Sequence, residues 1–215
     1  MREEVIASIG VPLVGIAGGV ASGKSLVTER LGRLGGAVIS ADQLAHEVLR
    51  YENVKRLARD RWGEGIFDGQ GEIDRRALAK IVFAPPPDGP RELKFWEQCT
   101  HPEIGRLALE RIERLAADKS AVAIILDVPL LFESGWNKFC EKTVFVDTPP
   151  DLRRKRAIAR GWTAEDFARR EAVQESLETK RRLADVVIDN SGSVESTQAQ
   201  IEHFWHSLIR TPLPR

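Results

Sequence analysis

The sequence predicts an α/β domain built on a doubly wound parallel sheet, and three observations carry that prediction. Five short apolar runs recur along the chain: "LVGIA" (13–17), "AVIS" (37–40), "AIILDV" (123–128), "TVFVD" (143–147) and "DVVID" (185–189). Each is rich in Val, Ile or Leu with little alternation, as in strands buried on both faces of a parallel sheet. Helical patterns separate the runs, and this alternation is the mark of βαβ construction. A glycine-rich turn joins the first run to the first helix.

Taken in order, the first strand leads through "GGVASGKS" into a helix whose Leu26, Val27, Leu31 and Leu34 share a face. Asp42 follows the second strand in "ISAD". The next interval, about 41–120, is mostly helical and too long for one crossover, so we expect an inserted helical subdomain. "APPPDGP" (84–90) ends one of its helices and spaces it from the next. "THPEI" is expected to open a further helix, in which Leu107, Ile112 and Leu115 point the same way. After the fourth strand comes a second helical excursion, 150–182. The expected plan is one domain over 1–215: a core of about 11–45, 119–150 and 183–210, an insertion of about 46–118, and a lid of about 151–182.

Composition narrows the class. The 215 residues, 42% hydrophobic and 30% charged, are enough for a substantial apolar core. Thirty-two basic residues balance thirty-two acidic ones, which argues against a general nucleic-acid or membrane binder. The longest apolar run, "AVAIIL", is strand-sized, and "MREEVIASIG" carries acids where a secretory signal is basic. Cys99 and Cys140 form no C-x-x-C pair, in keeping with a reducing cytoplasm. Charge is uneven locally: residues 153–182 hold ten Lys/Arg against five Asp/Glu.

"GGVASGKS" satisfies G-x-x-x-x-G-K-[ST] through Gly18, Gly23, Lys24 and Ser25. A chance match somewhere in a chain of ordinary glycine content is about a one-in-a-hundred event, before strand and helix are required on either side. The backbone of Gly18, Gly19, Val20, Ala21, Ser22 and Gly23 turns its N–H groups toward an anion, and the helix beginning near Ser25 adds its positive dipole end. Lys24 reaches the β- and γ-phosphates, and the Ser25 hydroxyl is the expected ligand of Mg²⁺. The guanine-reading N-K-x-D is missing, since "NKFC" (137–140) lacks the acid. "DGQG" (68–71) has no strand before it and reads as a turn. A small-molecule kinase fits best, because phosphoryl transfer needs a compact core, a substrate subdomain and a basic lid.

Seven segments in order then show a resemblance: "GIAGGVASGKS", "VISADQLAHEVL", "DRRALAKIVF", "THPEI", "LDVPLLFESG", "LRRKRAIARG" and "KRRLADVVIDNSGS". Over about 13–197 the chain resembles the dephospho-coenzyme A kinase family. The resemblance implies a P-loop kinase fold: a five-stranded parallel sheet flanked by helices, with a helical substrate subdomain and a helical lid. It also implies an ATP- and Mg²⁺-dependent cytoplasmic enzyme that phosphorylates the ribose 3′-hydroxyl of dephospho-coenzyme A. The alternatives are another nucleoside or nucleotide kinase of similar build, or a nucleotide sensor without turnover.

By the resemblance, Asp42 lies near the acceptor hydroxyl as base or orienting group, although Asp at this place is otherwise a helix cap. Lys24, Asp42 and Arg156 are the expected catalytic set. Arg156 and Arg160 lie four apart on the lid, with Arg156 ranked first, while some of Arg153, Arg154 and Lys155 belong to a solvated face. Arg75, Arg76, His101, Asp127 and Leu130 are assigned to the acceptor side. Asp127 ends an h-h-h-h-D run and is alternatively a carboxylate that holds Mg²⁺ through water. Asn190 and Gly192 belong to a loop round adenine. Ala21 and Leu26 depart from the family's Gly and Thr. Ala21 is accommodated if its φ is negative, and Leu26 gives up a hydroxyl contact to the α-phosphate.

Overall fold

The computed structural model describes residues 10–118, 121–172, 174 and 176–210. The acidic N-terminal stretch therefore lies, apart from Gly10, outside the described residues. Two compact units emerge, one of Met1–Ser40 with Ile112–Arg215 and the other of Ala41–Arg111.

The first unit holds the sheet. Strands β1 (Leu13–Gly18), β2 (Gly36–Ser40), β3 (Ala123–Asp127), β4 (Lys142–Asp147) and β5 (Val186–Asp189) lie in the order β2-β3-β1-β4-β5, with every pairing parallel. This is the five-stranded parallel sheet that the apolar runs predict. Burial on both faces holds for β1, β3 and β4, but not for the two edges. On β2 Val38 is exposed, and on β5 Val187 is exposed, because an edge strand has a neighbour on one side only.

Helix α1 (Lys24–Arg33) and the late helix α9 (Val194–Arg210) pack together on one face of the sheet. Val14 and Ile16 of β1, Val144 and Val146 of β4, Val27 and Leu31 of α1, and Phe204 and Trp205 of α9 form its core. Each such side chain contributes about 1.5–3 kcal/mol when fully buried. The opposite face takes the alternate residues, as a period of two requires. There Gly15 leaves room for Leu131 and Cys140, which a Cβ would meet at 2.7 and 2.8 Å.

Three further helices follow β4 in this unit: α6 (Pro150–Ala159), α7 (Ala164–Ala172) and α8 (Leu177–Leu183). Helix α6 packs on α7, and α8 packs against β1 and β4. Lys180 of α8 is buried and pairs with Glu133 at 2.6 Å, so a charged side chain is accommodated beneath the helix only with its counter-ion.

The second unit contains α2 (Ala41–Val48), α3 (Glu52–Trp62), a 3₁₀ turn (Glu64–Ile66), α4 (Arg75–Val82) and most of α5 (Asp88–Asp118). "DGQG" is a turn, as expected: Asp68 Oδ1 accepts from the N–H groups of Gln70 and Glu72. Glu92 accepts from Arg61 and from the Trp62 indole, and Trp62 meets the Phe95 ring edge-on at 5.6 Å. "THPEI" does not open a helix. His101 and Pro102 lie inside α5, which starts at Asp88 and runs 31 residues. The hydrogen bond that Pro102 cannot donate is outweighed by long flanking turns of good helix formers, and Thr100 bonds back to the Trp96 carbonyl. No described helix is long and apolar enough to cross a membrane.

Candidate active site

The loop between β1 and α1 runs from Gly18 to Gly23, and its carbonyl groups are engaged almost one by one. Lys24 Nζ folds back to donate to Gly18 O at 3.1 Å and Gly19 O at 3.4 Å. Ser22 N donates to Gly19 O at 3.1 Å. Arg153 Nη1 donates to Val20 O at 3.3 Å. Ser22 O accepts from three side chains: Thr148 Oγ1 at 2.8 Å, Asn190 Nδ2 at 2.7 Å and Arg156 Nη1 at 3.2 Å. Ser22 N is taken up by Gly19 O and Leu26 N by Gly23 O, so an anion nest here draws on the other amides of the loop and of the start of α1. Helix α1 begins at Lys24, so Ser25 stands in its first turn with an exposed side chain.

The side chains of Val20 and Ala21 do not face a ligand. Val20 packs with Ala157 and Phe167, and Ala21 and Trp162 close round them. Ala21 takes φ +57, so the condition under which alanine would be accommodated without strain, a negative φ, is not met. The backbone needs a left-handed turn here, and the methyl group is held in that region by packing against α6 and α7.

Arg154 and Lys155 are exposed, so part of this basic run lies on a solvated face as expected, whereas Arg153 is only 2% exposed. Its Nε donates to Thr148 O, its Nη1 to Val20 O and to the Glu171 carboxylate of α7, and its guanidinium lies 5.6 Å from the Phe167 ring centroid. A guanidinium can be buried at this cost only with such a set of acceptors. Arg156, one helical turn on, spans Ser22 O and Asn190 O, the latter at 2.9 Å from Nη2. Arg160 is exposed at the end of α6.

Asn190 is 3% exposed, with its amide turned inward to Ser22 O and its Oδ1 accepting from Thr197 Oγ1 at 3.0 Å. Gly192 is exposed. Asp127 sits at the carboxyl end of β3, in register with Ile16 of β1 and Ser40 of β2. Leu130 beyond it is exposed, whereas Leu131 is buried. The loop residues, Arg156, Asn190 and Asp127 thus belong to the first unit.

The acceptor-side candidates Asp42, Arg75, Arg76 and His101 all fall in the second unit. Asp42 is exposed in the first turn of α2, two residues past the end of β2. Arg75 and Arg76 are exposed at the start of α4, where Asp74 caps the helix by accepting from the N–H groups of Arg76 and Ala77. His101 is exposed on α5. Thr148 and Arg153 were not singled out from sequence. In "VDTPPDLRRKR" basic residues surround the whole helix, and nothing in their spacing marks which one turns inward.

The dephospho-CoA kinase (CoaE) family profile matches residues 12–196 of this chain. The chain belongs to the dephospho-CoA kinase family. The family's enzyme from Carboxydothermus hydrogenoformans is 40% identical over 198 residues, covering 89% of this chain and 91% of its own. A solved structure from Thermus thermophilus, 35% identical, superposes with a TM-score of 0.75 and covers 92% of this chain and 98% of its own. The dephospho-CoA kinase of Campylobacter jejuni, 26% identical, gives 0.67 over 93% and 98%. These relatives agree with the kinase fold and the parallel five-stranded sheet.

Proposed function

We propose that this chain transfers the terminal phosphoryl group of ATP to the ribose 3′-hydroxyl of dephospho-coenzyme A, giving coenzyme A and ADP, the last step of coenzyme A synthesis. The observation that carries the reading is an intact phosphate loop, its Gly18, Gly19, Val20 and Ser22 carbonyls engaged, within a chain matched to the family over 12–196. Loop amides and Lys24 bind the phosphate tail, and Arg156, anchored beside Ser22, adds positive charge next to it. Asp42 accepts the proton of the attacking hydroxyl. A bond forms from that oxygen to the γ-phosphorus as the bond from phosphorus to the β,γ-bridging oxygen breaks, and ADP leaves. Arg75, Arg76 and His101 bind the acceptor, with Leu130 beside it. Arg160 and the 190–192 loop complete the nucleotide side.

Mg²⁺ fits the residues present. Among the described residues no cluster of three His, Cys, Asp or Glu side chains could hold a metal, and Mg²⁺ in kinases is held mainly by phosphates and water with one or two protein oxygens. Ser25 and Asp127 supply hard oxygens of that kind. When bound, the ion neutralises charge on the β- and γ-phosphates. Reduced thiols at Cys99 and Cys140 support a cytoplasmic setting.

The test is ADP release measured with dephospho-coenzyme A, AMP, CMP, adenosine or no acceptor. Turnover with dephospho-coenzyme A alone is expected. Preference for another acceptor, or ATP binding without any turnover, overturns the reading. Asp42→Asn is expected to lower kcat by about 10²–10⁴-fold with little change in ATP affinity, and a kcat like that of the unaltered enzyme removes Asp42 from the mechanism.

A further inference from the structure

The geometry points to Thr148 and Asn190 as positioning residues that aim a single peptide, Ser22–Gly23, at the phosphates of the donor nucleotide. In a trans peptide the carbonyl and the following N–H point in opposite directions. Whatever fixes Ser22 O therefore fixes the Gly23 N–H. The oxygen carries two lone pairs and meets three donors: Thr148 Oγ1 from the turn after β4, Asn190 Nδ2 from the turn after β5, and Arg156 Nη1 from α6. Both neutral donors are buried, Thr148 at 4% and Asn190 at 3% exposed, where a hydrogen bond is least diluted by water. Ser22 O can only accept, so the end of the amide that faces it at 2.7 Å is the Asn190 nitrogen, which leaves Oδ1 toward Thr197 Oγ1 at 3.0 Å.

Gly23 shows how closely the clamp is fitted. Its φ is +98, and a Cβ there would fall on the Asn190 amide nitrogen. The amide occupies the space that glycine leaves. This gives the Asn190 side chain a role distinct from holding adenine: it acts on the phosphates through the loop backbone. The inference rests on the reading of residues 18–25 as the seat of the ATP phosphates.

Inorganic tripolyphosphate is the deciding probe, since it has the phosphates and lacks the base. We compare the unaltered enzyme with Thr148→Val, which exchanges a hydroxyl for a methyl group of near-equal size, and with Thr148→Ser and Asn190→Ala. Tripolyphosphate and ATP affinities are measured by calorimetry, KM values by turnover, and folding by thermal melting. In Thr148→Val and Asn190→Ala both ligands are expected to weaken together, by about fivefold for one lost neutral hydrogen bond. KM for dephospho-coenzyme A should not move, and Thr148→Ser should restore both affinities.

Weaker ATP binding with unchanged tripolyphosphate binding would assign Asn190 to the base and overturn the clamp. Lower melting temperatures with both affinities unchanged would make the two residues merely structural and overturn it as well. If Asn190→Ala does not fold, the Thr148 pair decides by the same criteria. Because calorimetry needs no turnover, the clamp is tested even if the enzyme fails to phosphorylate dephospho-coenzyme A, and that failure would count against the proposed function alone.

Discussion

Ala21 holds φ +57 in the middle of the phosphate loop, the only described non-glycine residue with positive φ. The left-handed region costs an L-residue about 1–2 kcal/mol, and glycine would return about 0.5–1 kcal/mol of that as added freedom of the unfolded chain. Ala21→Gly is therefore expected to stabilise the protein by a few tenths of a kcal/mol, raising Tm by about 1–2 °C. A lower Tm would mean that the methyl group's packing against the Val20, Ala157 and Phe167 cluster outweighs the strain. The family resemblance could show that alanine stands where the family has glycine. It could not show the sign of φ, which depends on partners more than a hundred residues away.

At the scale of elements, α6 and α7 are joined by the pair of buried Arg153 with partly exposed Glu171, and α6 is joined to the loop through Val20 O. Arg153→Met leaves Glu171 and two carbonyls without their donor, and we expect a loss of about 3 kcal/mol. Glu171→Gln keeps an acceptor oxygen and should cost about 1 kcal/mol. Urea titration compares the two, and equal losses would rule out the carbonyl contacts as a separate contribution. In the second unit, Arg61, Trp62 and Arg91 together lower the Glu92 carboxyl to about 2 from the usual 4.5, the Arg61 hydrogen bond being the largest cause. A carboxyl lowered by folding gives stability that is complete above pH 4.5 and is lost as pH falls toward 2. Emission of Trp62 should therefore shift to the red on acidification through that window, and Glu92→Gln should remove this part of the shift. A Glu92→Gln variant with the same acid profile would exclude the carboxylate as its source.

Over the whole molecule, the five strands and the phosphate loop were legible because each depends on short-range pattern: apolar runs of five or six residues, and one motif of eight. The long helix through Pro102 was not, since proline is a reliable stop only where flanking turns are weak. The burial of Arg153 and Lys180 was also hidden, because a basic residue reads as surface until its acceptors are in place. Binding at the loop should stabilise the unit that contains it. ATP at about 100 times its Kd should add about 2.7 kcal/mol, measured as a rise in Tm, and Lys24→Ala should lose most of that rise. An undiminished rise in Lys24→Ala would remove Lys24 from the phosphate grip.

The three donors on Ser22 O come from residues 148, 156 and 190, although the loop itself is finished by residue 25. During synthesis on a ribosome the phosphate motif therefore emerges early but has no rigid backing until β5 and the turn after it have been made. A nascent chain halted before residue 186 would carry the complete motif and still hold nucleotide poorly, so competence for the reaction arrives late, with the last strand.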